Sequence, residues 1–428
     1  MKFIIGIYLI IFLSSCSEYK PTIIPNEKAN IINEFVSECN KQGLFSGSVL
    51  IANNGKVIYK SSFGYSIIET EEINTIDTKY RIGSMTKQFT SMMIMQLVEE
   101  GKIKLDGKIT DYLIEYRDDT GSKITIHHLL THQSGIIDFC NYEKFWTEQA
   151  HKSCDDEFMI KEFHSSDLEF EPGTKVNYCN SGYYLLALII ENITGMSYEE
   201  NLITRITRPL QMENTGVIKT GTNTLNTAKG YINSFLGMET SFLEMTNFIG
   251  AGNMYSTVED LYKWDQALYS NKLLSKEYLK IMFTPNLEKY AYGWIIEDED
   301  TLVNIYHQGH INGFCSIISR IEDTETTIIL LHNGGVTKVY EMSEEIQNIL
   351  QNRNYSIPKI PIDIRLSKEI LISENDNLLE KYLQLKKDSL KYYDFDNYYL
   401  YAFVANLEDI GREDIVKKIN KIIDYELR

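Results

Sequence analysis

The chain has 428 residues, 43% apolar and 12% aromatic, enough for a large buried core and for one large domain with something smaller attached. Its formal net charge of −18 argues against a nucleic-acid partner, because binding a polyphosphate backbone needs runs of clustered Lys and Arg that the sequence does not show. Acidity of this size favours solubility and says nothing about substrate.

Residues 1–16 read as an export signal: Lys2, an apolar run over 3–13 too short to span a bilayer, then Leu13-Ser14-Ser15-Cys16. Residues 17–26 read as a tether. Residues 27–42 carry helical periodicity, and 45–64 alternate as two strands around Asn53-Asn54-Gly55, a hairpin turn signal.

The stretch Tyr80-Arg81-Ile82-Gly83-Ser84-Met85-Thr86-Lys87 then runs into an apolar helix that ends before Gly101. A serine hydroxyl is a poor nucleophile at neutral pH. A lysine three residues later on a helix lies one turn up the same face, where it holds or takes the hydroxyl proton. Unpaired N–H groups at the helix start suit a developing oxyanion beside Ser84. The spacing alone is weak, since Ser17 to Lys20 and Ser356 to Lys359 match it too.

Glu171-Pro172-Gly173 punctuates the chain before Tyr178-Cys179-Asn180-Ser181-Gly182-Tyr183, which opens another apolar helix. A tyrosine whose phenolate is stabilised by a nearby lysine serves as a base, and an asparagine two residues on binds a substrate amide. Tyr231 and Tyr269 also precede an asparagine by two residues. Only Tyr178 lies between a Pro-Gly turn and a helix start, a place from which a side chain is aimed into a cleft.

Beyond Trp294 the pattern changes to short alternating runs over 294–296, 303–307, 313–321 and 327–332, meandering antiparallel strands, with a covering helix over 343–351. One of these strands should offer a polar side chain and a glycine to a substrate lying along its edge. Lys219-Thr220-Gly221, His307-Gln308-Gly309 and His332-Asn333-Gly334 compete. The first lacks a strand pattern, and His307 ends a strand, which makes it the better choice. Residues 352–365, with Pro358 and Pro361, read as a linker, and 366–428 as a small helical module. Besides Cys16 there are five cysteines, without zinc or redox spacing; Cys140 and Cys154 share a stretch where export would permit a bridge.

Taken together the motifs resemble the serine β-lactamase and penicillin-recognising superfamily, in the branch of class C β-lactamases, D-alanyl-D-alanine carboxypeptidases, D-aminopeptidases and esterases. The resemblance covers residues 27–351. It is carried by Phe45-Ser46-Gly47-Ser48-Val49, the Ser84 block, Leu129-Leu130-Thr131-His132-Gln133-Ser134-Gly135, the Tyr178 block, Pro209-Leu210-Gln211-Met212, Ala251-Gly252-Asn253-Met254 and His307-Gln308-Gly309.

It implies an α+β fold: an antiparallel sheet of about five strands flanked by helices, with a mostly helical subdomain. It also implies a serine hydrolase that works through an acyl-enzyme on an amide or ester and needs no cofactor or metal. In that reading Ser84 is acylated, Lys87 and Tyr178 share proton transfer, and Asn180 holds the substrate amide. His307 and Gly309 line the substrate, and the backbone N–H groups of Ser84 and His310 form the oxyanion hole. Histidine at 307, where β-lactamases carry lysine, points away from β-lactamase proper toward the peptidases and esterases. A β-lactamase, or a penicillin-binding sensor that acylates without turnover, are the alternatives. Small residues before Cys16 resemble a lipobox, so a bacterial lipoprotein anchored to an envelope membrane by Cys16, and otherwise monomeric, is expected.

Overall fold

The computed structural model describes residues 22–23, 27–219, 225–233, 235–299, 302–335, 337–372 and 377–427. Cys16, the export signal and most of the tether lie outside the described residues. A seven-stranded antiparallel sheet forms the centre, built from β1 (Thr22–Ile23), β2 (Gly47–Asn53), β3 (Lys56–Phe63), β4 (Ile295–Glu299), β5 (Leu302–Ile311), β6 (Phe314–Ile321) and β7 (Thr326–His332). Their order across the sheet is β1-β3-β2-β7-β6-β5-β4. The β2–β3 loop is Asn54-Gly55 with φ of +52° and +66°, the primed turn whose twist matches the flanking strands. The expected α+β fold is the observed one.

Both faces of the sheet are covered, which explains why β7 reads as an unbroken apolar run. Ile328 and Leu330 of β7, with Val49 and Ile51 of β2, pack against α1 (Glu27–Gln42) and a C-terminal cover helix, Val339–Leu350. Ile329 and Leu331 face the other way, into the larger core with α2 (Thr86–Glu99), α3 (Asn180–Thr194) and α4 (Val258–Ala267). A buried Arg320–Asp265 pair at 2.8 Å ties β6 to α4, and Thr327 adds a hydrogen bond to the same carboxylate. α2 is buried along nearly its whole length, so it is a central helix rather than an amphipathic surface one. That placement carries Lys87, near its start, into the interior.

After the cover helix the described residues form four further helices: Ile362–Ile372, Leu378–Asp388, Asn397–Asp409 and Glu413–Glu426. The first begins inside the stretch read as a linker. Pro361 precedes its first turn, where a missing N–H removes no helical hydrogen bond. These helices share a core of Leu366, Tyr382, Leu400, Phe403 and Ile419, onto which Ile232 packs from the main domain. No helix among the described residues is long and apolar enough to cross a membrane.

Candidate active site

Ser84 lies in a single 3-10 turn, Gly83–Met85, directly ahead of α2, so it stands at the lip of the helix rather than in its first turn. Gly83 has φ +50°, and a Cβ there would sit 2.8 Å from the backbone N of His310. On the facing strand a Cβ at Gly309 would meet the Ile82 carbonyl at 1.8 Å. Two glycines therefore let β5 close onto the turn that carries Ser84, with the His310 backbone N against Gly83. Ser316 of β6 locks the contact by donating to the Ile82 carbonyl at 2.9 Å.

The Lys87 ammonium is fully buried and meets three acceptors: Ser84 Oγ at 3.1 Å, Asn180 Oδ1 at 2.8 Å and the Ala251 carbonyl at 2.8 Å. Three donors for three acceptors satisfy the charged form; losing one proton frees a lone pair that accepts the Ser84 hydroxyl instead. Burial pulls the Lys87 pKa down to about 7, with Asp138 opposing the fall. Asn180, the first residue of α3, donates from Nδ2 to Asp138 Oδ2 at 2.8 Å. The chain Lys87–Asn180–Asp138 thus fixes which end of the Asn180 amide faces the lysine.

The Tyr178 ring lies 4.8 Å from Lys87 Nζ and keeps 38% of its surface exposed at the mouth of the site. Loss of hydration raises its hydroxyl well above the ordinary tyrosine range, and an interaction with the Ser84 side chain pulls the other way. His307 is buried and engages its own strand through Nδ1 and the Gln308 carbonyl; Nε2 faces the Tyr290 hydroxyl at 3.1 Å. Burial, followed by the Lys87 charge, holds its pKa at about 3, so the ring is neutral.

Three participants were not assigned roles from the sequence: Asp138, Tyr290 and His132. His132 is 1% exposed with φ +59°, and it clasps three consecutive residues. Its carbonyl accepts from Asn177 N–H at 2.9 Å, its ring packs 4.3 Å from Tyr178, and its Nδ1 accepts from Cys179 N–H at 3.0 Å. The last bond places the ring proton on Nε2. Replacing His132 by Ala should lower kcat about tenfold with little change in KM, because Tyr178 loses its support. His132→Asn, which tolerates positive φ and supplies an acceptor, should recover part of the loss in the same steady-state assay.

The rival motifs do not join this site. Tyr231 hydrogen-bonds Ile68 N–H and Glu69, and Tyr269 stacks on the Arg320 guanidinium. His332 accepts from Ser46 N–H in the sheet interior. Lys219 pairs with Glu199, while Thr220 and Gly221 lie outside the described residues. Ser356 hydrogen-bonds the Glu345 carboxylate instead of Lys359. The bridge entertained for Cys140 and Cys154 is not formed; both are thiols, Cys140 against Asn180 and Cys154 against Asn247.

Residues 31–351 match the beta-lactamase family. Penicillin-binding protein 4* of Bacillus subtilis (strain 168) is 30% identical over 343 residues, covering 74% of this chain and 75% of that protein. D-amino acid amidase of Ochrobactrum anthropi SV3, solved with L-phenylalanine amide, superimposes with a TM-score of 0.66 at 25% identity, over 76% of this chain and 99% of the amidase. An octameric penicillin-binding protein homologue from Pyrococcus abyssi superimposes with a TM-score of 0.65 at 27% identity, over 76% and 78% of the two chains. With its family match spanning most of the sequence and its fold shared with these proteins, the chain belongs to the beta-lactamase family and is a serine hydrolase of the β-lactamase-like fold.

Proposed function

We propose that the protein hydrolyses an amide or ester through an acyl-enzyme on Ser84, and that its preferred substrates carry no negative charge beside His307. The convergence of Ser84 Oγ and Asn180 Oδ1 on one buried, weakly basic Lys87 carries the reading. Neutral Lys87 takes the Ser84 proton as Oγ attacks the substrate carbonyl. The oxyanion is held by the Ser84 and His310 N–H groups. Tyr178, a protonated phenol, gives its proton to the leaving group and is reprotonated from Lys87; water then reverses the sequence to free the acid. Export and lipidation at Cys16, carried by the N-terminal pattern, would set this chemistry in the bacterial cell envelope.

A neutral His307, already engaged by Tyr290, offers no cation to a substrate carboxylate. Purified protein should therefore cleave p-nitrophenyl esters and D-amino-acid amides faster than a D-Ala-D-Ala peptide or nitrocefin. His307→Lys should raise the relative kcat/KM for the carboxylate-bearing pair about tenfold. A D-Ala-D-Ala peptide preferred by the unaltered enzyme would favour the carboxypeptidase reading suggested by the penicillin-binding relatives. A stoichiometric burst without turnover would instead mark a penicillin-binding sensor.

A further inference from the structure

We propose that the C-terminal helical module carries a binding site for a phosphate-bearing anion, in a cleft remote from Ser84 in sequence and built from different elements. The cleft is a cavity of about 710 Å³ lined by the extended segment 357–360, the helix Ile362–Ile372, the turn 391–393 and Gln42 at the end of α1. Its far wall is tied on by backbone pairing of Ile360 with Tyr393 and Pro361 with Asp394. The cleft is therefore a held shape rather than a gap between loops.

Its lining is anomalous for this chain. The protein carries a net charge of −18, yet four of the eleven lining residues are cations, Lys359, Arg365, Lys368 and Lys391, and none is acidic. Only Arg365 has a carboxylate partner among the described residues, Glu369 on its own helix. Lys368 is half-buried, with Nζ 4.0 Å above the Phe235 ring, and Lys391 lies 4.6 Å from the Tyr392 ring. The Phe235 face partly replaces water around the Lys368 ammonium but supplies no countercharge, while Lys391 is exposed at the rim. Burial and the adjacent Arg365 charge both press the Lys368 pKa down, the mark of a cation held without its anion.

The chemistry that answers this lining is a ligand with several negative oxygens close together. Three lysines without a carboxylate partner among the described residues and two tyrosines line this one cleft, and a phosphate is the anion whose clustered oxygens such donors bind together. The aliphatic part of the wall, Ile357, Pro358, Ile360 and Ile364, accommodates an apolar portion beside the phosphate. A free phosphorylated compound and a phospholipid head group present the same chemistry.

The test uses the full-length protein. Calorimetric titration with inorganic pyrophosphate at low salt should give saturable binding at one site, and flotation should recover the protein with phosphatidylglycerol-containing vesicles over pure phosphatidylcholine. The double variant Lys368→Glu, Lys391→Glu should weaken whichever probe binds by about tenfold or more, as should raising the salt. Unaltered labelling of Ser84 in that variant reports an intact fold. Pyrophosphate binding alone assigns a soluble phosphorylated ligand, and charge-sensitive vesicle binding assigns a lipid head group; either supports the site. Binding of neither probe, or binding that survives the charge reversal, overturns it.

Discussion

Ser84→Ala is expected to abolish covalent labelling by a fluorophosphonate and to reduce ester hydrolysis about a thousandfold or more, while the thermal midpoint moves by no more than about 2 °C. The hydroxyl is the atom that Lys87 Nζ meets at 3.1 Å, and its turn packs against His310 of β5 through Gly83. Removing it deletes the nucleophile but takes away only one of three acceptors for Lys87, since Asn180 and Ala251 remain. Intact-protein mass spectrometry distinguishes the possibilities: a single adduct on the unaltered chain and none on the variant. Ser356→Ala should label like the parent, because that hydroxyl is committed to Glu345 and its motif lysine lies elsewhere. An adduct retained by Ser84→Ala would remove Ser84 from the mechanism.

The nucleophile and its lysine were legible in the sequence because they lie three residues apart across a helix start, where spacing alone brings the two side chains together. Tyr178 and Asn180 were legible for a similar local reason, a Pro-Gly turn feeding a helix start. Their neighbours were not. Asp138 reaches Asn180 and His132 clasps the Tyr178 segment only because segments more than 40 residues apart pack together, and Tyr290 meets His307 across the β4–β5 pairing; such contacts leave no periodic trace. The hairpin around Asn54-Gly55 and the double-sided burial of β7 could be read from turn chemistry and apolar runs. The 3-10 turn at Ser84 could not, since it is imposed by β5 closing on Gly83. The same holds for the basic cleft: its cations come from three segments whose meeting depends on the pairing of Ile360 with Tyr393.

The pH dependence of turnover discriminates between the two groups able to accept the Ser84 proton. Burial lowers Lys87 to about 7, whereas loss of hydration around its hydroxyl raises Tyr178 above its already high ordinary value. With Lys87 as base, kcat/KM should be flat on the alkaline side of neutrality, bend near pH 7 and fall about tenfold per unit below it, as the lysine becomes fully protonated. With Tyr178 as base, the bend would lie above pH 10. The charges facing Lys87 sharpen the test. Asp138 is the carboxylate that holds the lysine pKa up, so Asp138→Asn should move the acid limb to lower pH. Some activity should also be lost in that variant, because the amide of Asn180 loses its orienting acceptor. Lys87→Arg keeps a cation of similar reach that does not deprotonate, so it should cost about a thousandfold in acylation rate on the alkaline plateau and leave no limb near 7. A profile in which Lys87→Arg retains the bend would transfer the role of base from Lys87 to another group.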